Sequence, residues 1–258
     1  MKNIMLNVAI GAVMIASVAQ ALPTWPTSWT AVTVGGNVYQ DVHWEDNMTG
    51  DNISQTPQPQ RTDIVGNAAN PAAYYAYDGQ NLYFRVRVDG DASVANPQCV
   101  WSAVLNTDGD IGADWVIQLD RKTDGQVELA QATAGSPSDV NPWSALTYVQ
   151  TPHTGPDGGV ATDWYRYVST GDSTTFPDTP AGADYFVDFA FDKATLDTQN
   201  GTPVNAFQVV FATSTTHVNS EKDLPDTGWS DSITVPEPTS MALLALGVTV
   251  LAMRRRKV

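Results

Sequence analysis

Apolar and polar residues alternate with a period of two through much of the chain. In residues 82–88, Leu82, Phe84, Val86 and Val88 fall on one face of an extended strand, and Tyr83, Arg85 and Arg87 fall on the other. Similar alternation runs through residues 101–105, 115–119, 126–130, 164–168, 185–191 and 207–212, with Gly, Asn, Asp and Pro between the runs. No apolar stripe with helical spacing persists for more than about two turns. The pattern predicts an all-β fold, an antiparallel β-sandwich of jelly-roll-like form, in which 82–88 is a half-buried strand whose Tyr83, Arg85 and Arg87 face solvent. Gly35-Gly36-Asn37 marks a hairpin near the start of the body, 192–196 reads as one short helical turn, and the polar, proline-bearing stretch 47–61 reads as an irregular loop.

The two ends follow different rules. Residues 1–21 carry an early lysine, an apolar run from Val8 to Val18 and the small-x-small triplet Ala19-Gln20-Ala21, the form of a secretory signal peptide cut by signal peptidase. At the other end Pro236-Glu237-Pro238 precedes an apolar run from Met241 to Met253 and the basic cluster Arg254-Arg255-Arg256-Lys257. Such a cationic block resists crossing a membrane and stays on the cytoplasmic side, leaving the body outside. The expected division is a signal peptide over 1–21, one sandwich domain over 22–233 and a tail over 234–258 with a single hydrophobic helix. Membrane contact is expected only through that tail.

The tripartite tail resembles the PEP-CTERM sorting signal. The resemblance implies processing by an exosortase, a membrane protease that cuts near the Pro-Glu-Pro segment in Gram-negative bacteria that export polysaccharide. It implies a cell-surface or extracellular-matrix destination, with transient anchorage by the tail. In the body, NPAAYYAYDGQNLYFRVRVDGD followed by WSAVLNTDGDIGADWVIQLD resembles β-sandwich domains similar to family-nine carbohydrate-binding modules and their surface-protein relatives.

Charge narrows the partners. The formal net charge is -15, and five of the 13 basic residues (Lys2, Arg254, Arg255, Arg256 and Lys257) lie in the end segments. An acidic body repels phosphate backbones, so nucleic acid is not an expected partner, and neutral polysaccharide suits it better. Cys99 is the only cysteine, which excludes an intrachain disulfide.

Candidate chemistry is sparse. Asn106, Asp108, Asp110 and Asp114 place oxygen side chains near the spacing of a calcium loop, which makes calcium the one candidate cofactor; Ile117 stands where an EF-hand needs its bidentate glutamate. An Asx-rich β-turn accounts for the same residues. Of the eight tryptophans, Trp101 and Trp115 are in register with apolar neighbours and are expected in the core. Trp143, Tyr165 and Tyr167 sit in polar or outward positions and are the candidates for stacking on a sugar ring. His43, His153 and His217 are isolated, and no HExxH or Gly-x-Ser-x-Gly motif occurs. The expectation is a non-enzymatic exported protein associated with exopolysaccharide, with a secreted carbohydrate-active β-sandwich enzyme as the alternative.

Overall fold

The computed structural model describes residues 23–40, 62–93, 99–110, 112–122, 126–131, 147–148, 153–154, 164–171, 184–214 and 228–236. They form two antiparallel sheets packed face to face. The first sheet contains β1 (Thr30–Ala31), β4 (Ala73–Tyr77), β5 (Asn81–Val88), β12 (Tyr185–Asp192) and β11 (Tyr165–Ser169), in the order β1-β4-β5-β12-β11. The second contains β10 (His153–Thr154), β8 (Gln126–Gln131), β7 (Trp115–Asp120), β6 (Val100–Asn106), β13 (Ala206–Ser214) and β14 (Ile233–Thr234), in the order β10-β8-β7-β6-β13-β14. β9 (Thr147–Tyr148) also pairs with β8. The remaining pair, β2 (Thr33–Val34) and β3 (Asn37–Val38), is the predicted hairpin. Its turn residues Gly35 and Gly36 both have positive φ, 58° and 79°, the backbone that a two-residue hairpin of this twist requires and that glycine adopts without strain.

Register explains how the core closes. Phe84 on β5 lies opposite Tyr75 on β4 and Phe189 on β12, so the three share the inner face of the first sheet. Across the gap, the Phe84 ring centroid is 6.1 Å from that of Phe207 and 6.2 Å from that of Phe211, both on β13 of the second sheet. Trp101 on β6 likewise meets Tyr167 on β11 at 6.0 Å. Phe84, Trp101, Phe189 and Phe211 are fully buried, and Trp115 nearly so. The predicted core tryptophans are therefore in the core.

One helix, α1 (Lys193–Asn200), joins the sheets, and it is longer than the single turn expected from the sequence. Asp192 caps its start: the carboxylate accepts from Thr195 N at 2.8 Å and Thr195 Oγ1 at 2.7 Å. Gly201 ends it in the left-handed conformation, φ 75°. Inside, Lys193 is buried against Asp197, with Nζ 2.7 Å from Oδ2. Leu196 faces the core. These local bonds let a segment without a strong amphipathic pattern stay helical.

The expectation of a half-buried β5 is corrected. Tyr83 is fully buried and Arg87 is only 5% exposed, so both faces of the strand are covered. Over Tyr83 the cover comes from residues 23–31, whose Trp25 and Trp29 rings stand edge-on to it at 5.7 and 6.5 Å, and Arg87 meets Asp184 and the Phe186 ring. Alternation places Tyr83, Arg85 and Arg87 on one side, but a solvated side was a wrong inference.

Because Phe84 touches both sheets, Phe84→Ala should cost about 3–5 kcal/mol, the range for emptying a buried aromatic site. Urea denaturation of the two proteins checks this. A loss below about 1 kcal/mol would mean that the sheets do not meet at this ring.

Candidate functional site

Three places could carry function: the outer face of the first sheet, the acidic turn 106–114, and the junction between the body and its tail.

On the outer face, register aligns Tyr74, Arg85, Asp188 and Arg166 in one row across β4, β5, β12 and β11. Asp188 is fully buried. It accepts from Arg85 Nε at 2.6 Å and Nη2 at 2.7 Å, a bidentate fork, and from Arg166 Nε at 2.8 Å. The arginines also stack: the Arg85 guanidinium lies 4.2 Å from the Trp29 ring centroid and 4.5 Å from that of Phe186, and Arg166 lies 4.7 Å from Trp25. One row along, Arg87 pairs with Asp184 at 3.2 Å and stands 4.6 Å from Phe186. Every charge in this cluster is matched by a carboxylate or a ring, so the cluster bonds the N-terminal cover to the sheet and does not form an open cleft.

Tyr165, expected to face outward, is fully buried. It shares the inner face with Phe189, directly opposite on β12, and its hydroxyl accepts from Arg121 Nη1 at 2.7 Å. That corrects its place among the stacking candidates, since a sugar cannot reach it. Tyr167 is half-buried, with its ring 5.8 Å from Tyr165 and 6.0 Å from Trp101. Trp143 lies outside the described residues. Among the residues whose burial is described, no aromatic side chain is exposed.

In the turn after β6, one side-chain oxygen of each candidate residue accepts from the turn's own groups. Asn106 Oδ1 accepts from Gly109 N at 2.7 Å, and Asp108 Oδ1 accepts from Asp110 N at 3.0 Å. Asp110 Oδ1 accepts from Gly112 N. Asp114 Oδ2 accepts from Thr107 N at 2.6 Å and Thr107 Oγ1 at 2.8 Å. These are Asx-type turn bonds, and among the described residues no three His, Cys, Asp or Glu side chains converge as a metal would require.

The third place was missed by residue-pattern reasoning. β14 pairs with the start of β13 at the edge of the second sheet, Phe207 opposite Ile233 and Ala206 opposite Thr234. Val235 N donates to Asn205 O at 2.8 Å, and Ile233 and Val235 are both buried, at 6% and 3% exposure. Thr234 and Val235, which the sequence reading assigned to the tail, are thus bonded to β13 and its approach, and the Val235 side chain adds to the core. Pro236 is the first exposed residue after Val235, while Glu237 and Pro238 lie outside the described residues. Just upstream, Asp231 secures the approach to β14: its carboxylate accepts from Thr33 Oγ1 at 2.7 Å, Gly36 N at 2.8 Å and Gly35 N at 2.9 Å.

Comparison with known proteins bears on this junction. Residues 234–257 match the family model described as the PEP-CTERM protein-sorting motif. The match covers the tail and begins inside β14, so Thr234 and Val235 belong to both the fold and the motif. No curated protein and no solved structure matches the chain, and the likeness of the body to carbohydrate-binding modules rests on its residue pattern alone. The chain is an exported protein with a C-terminal sorting tail, a substrate for exosortase.

Two carboxyl groups tie stability to pH. Burial pushes Asp78 up, but hydrogen bonds from Asn81, Tyr83 and Gln80 outweigh it and hold the group below its ordinary value. The Thr33 hydroxyl, with the Gly36 and Gly35 amides, lowers Asp231. A depressed folded-state value means that the stabilisation is present above the unfolded pKa of about 4 and is lost as pH falls through the folded value. Thermal melts should therefore be flat near neutrality and fall below about pH 4, and Asp231→Asn should flatten part of that fall.

Asp188→Ala, which strands two arginines, should cost about 3–5 kcal/mol, whereas the partly exposed Arg166→Ala should cost about 1 kcal/mol or less. Chemical denaturation of both variants checks the ordering. Millimolar calcium or EDTA should leave the melting curve unchanged, since binding to the folded state would raise it.

Proposed function

We propose that this chain is a non-enzymatic component of the cell surface or extracellular matrix of a Gram-negative bacterium, associated with exopolysaccharide and delivered by exosortase processing. The observation that carries this reading is the sorting motif at residues 234–257, joined directly to the last strand of a sandwich. Supporting it, the polar clusters described above are spent on holding the fold together. Surface charge agrees with a matrix role beside neutral polymer. Of the six described basic residues, Arg85, Arg87, Arg121, Arg166 and Lys193 are buried or half-buried, and only Lys122 is exposed. Asp78, Asp91, Asp108 and Asp110 are all exposed, so the described surface is more anionic than the residue counts imply. Neutral sugars approach such a surface without the repulsion that a uronic acid or sulfate would meet. If a glycan stacks on an aromatic ring of the body, Trp143 and the half-buried Tyr167 are the remaining members of the candidate set.

The test has two arms. Mass spectrometry of the protein recovered from its host's surface should show a chain beginning near Leu22 and lacking Arg254 to Lys257; retention of that cluster would sink the exosortase reading. The purified protein should co-sediment with the host's exopolysaccharide without releasing reducing sugar from it. Release of reducing sugar would replace this reading with that of a carbohydrate-active enzyme.

A further inference from the structure

Resting on the sorting reading, we propose that Asp231 is a positioning residue for tail processing: its clasp on the N-terminal hairpin sets how often the first residues of the sorting motif come away from the body. The motif begins at Thr234, and Thr234 and Val235 are held in the fold by the start of β13 and by Asn205 just before it. A protease that cuts near Pro236-Glu237-Pro238 takes the residues just before its scissile bond into its cleft as an extended segment. In the closed body those residues are already paired. The Val235 side chain is buried, its amide donates to Asn205 O at 2.8 Å, and Ile233 is buried opposite Phe207.

Ser230 marks the fixed end of the segment that has to open. It is buried, its amide donates to Val209 O at 3.0 Å, its hydroxyl accepts from Val209 N at 2.9 Å and its carbonyl accepts from Gln208 Nε2 at 2.9 Å. From there to Val235 the chain is an edge: among the described residues β14 is the last strand of the second sheet, it is only two residues long, and Ser232 and Thr234 are exposed. A segment with so few partners opens locally, at a lower cost than the sheets behind it. The hairpin supplies the missing partners. Asp231 N donates to Thr33 O at 2.6 Å, and the Asp231 carboxylate accepts from Thr33 Oγ1 at 2.7 Å, Gly36 N at 2.8 Å and Gly35 N at 2.9 Å. Three of these four bonds end on the carboxylate. The hairpin is itself anchored in the other sheet and the core: Val32 N donates to Ala73 O at 3.0 Å, Ala72 N donates to Tyr39 O at 2.9 Å, and the fully buried Tyr39 ring lies 5.8 Å from that of Phe211. The clasp therefore ties the approach to β14 to the first sheet as well as to the second. Without the carboxylate, residues 231–235 keep one hairpin bond, the pairing with β13 and two buried side chains, and the open population rises.

Hydrogen exchange on the full-length protein in mild detergent, read by peptide mass spectrometry, measures the opening. Asp231→Ala should speed exchange at the Val235 amide about five- to tenfold, as expected for losing charge-assisted bonds at a half-exposed site, and leave the peptide 82–88 unchanged. Thr33→Ala, which removes one donor from the hairpin side, should act in the same direction and more weakly. The double variant should match Asp231→Ala alone, because both changes delete the same clasp. In a host with exosortase, the fraction of chain already processed soon after synthesis should rise in step with the exchange rate, since cleavage tracks the open population when opening and closing are fast. Equal acceleration in the peptide 82–88 assigns Asp231 to the stability of the whole fold and overturns the proposal, as does an unchanged rate at Val235. Faster exchange at Val235 with unchanged processing also overturns it and leaves the sorting reading intact. Absence of tail processing in the unmodified protein as well as in every variant sinks the sorting reading itself.

Discussion

Burial of Asp188 beneath two arginines is the constraint around which the first sheet is organised. A carboxylate with no solvent exposure is tolerable only if its lone pairs are filled, and Arg85 and Arg166 fill them from the strands on either side. The arrangement joins β5, β12 and β11 through side chains as well as through the backbone ladder. It also leaves two planar cations facing outward, and the Trp25 and Trp29 rings cover them. The residues that would otherwise be a loose N-terminal extension thereby become the roof of the sheet. Replacing the triad by apolar side chains would give a sheet of similar burial, but without the directional bonds that fix where the roof sits.

A consequence appears on the surface. Because the described cations other than Lys122 are drawn into internal pairs and ring contacts, with Lys193 against Asp197 and Arg121 against Tyr165 repeating the pattern, the exposed charge among the described residues is mostly acidic. The same economy of polar groups governs the turn after β6. One side-chain oxygen of each of Asn106, Asp108, Asp110 and Asp114 answers a backbone amide of the tight loop, so these bonds stiffen the turn. Fold stability and surface character are thus two results of one set of bonds.

At the far end of the chain, packing and sorting meet. Val235 completes the core and Pro236 is exposed, and a proline there suits an exit, since it offers no amide to extend the β14 ladder. The sorting motif therefore begins inside the last described strand.

The alternation of apolar residues was enough to locate the long strands and the core tryptophans, because a strand's period reports directly which side chains share a face, and the turn residues Gly35-Gly36-Asn37 marked the hairpin. The tail was legible for a different reason: its apolar run and basic cluster are defined by transfer between water and lipid, which depends on composition more than on contacts. What covers each face was decided only by tertiary structure. Tyr83 read as solvated until Trp25 and Trp29 packed against it, Arg87 until Asp184 and Phe186 met it, and Tyr165 read as outward until its register with Phe189 turned it into the core. Period two assigns faces in pairs, but it carries no information about which long-range neighbour arrives at either one. The same holds for β14, whose two residues are too few to show a period and become a strand only because the start of β13 offers an open edge.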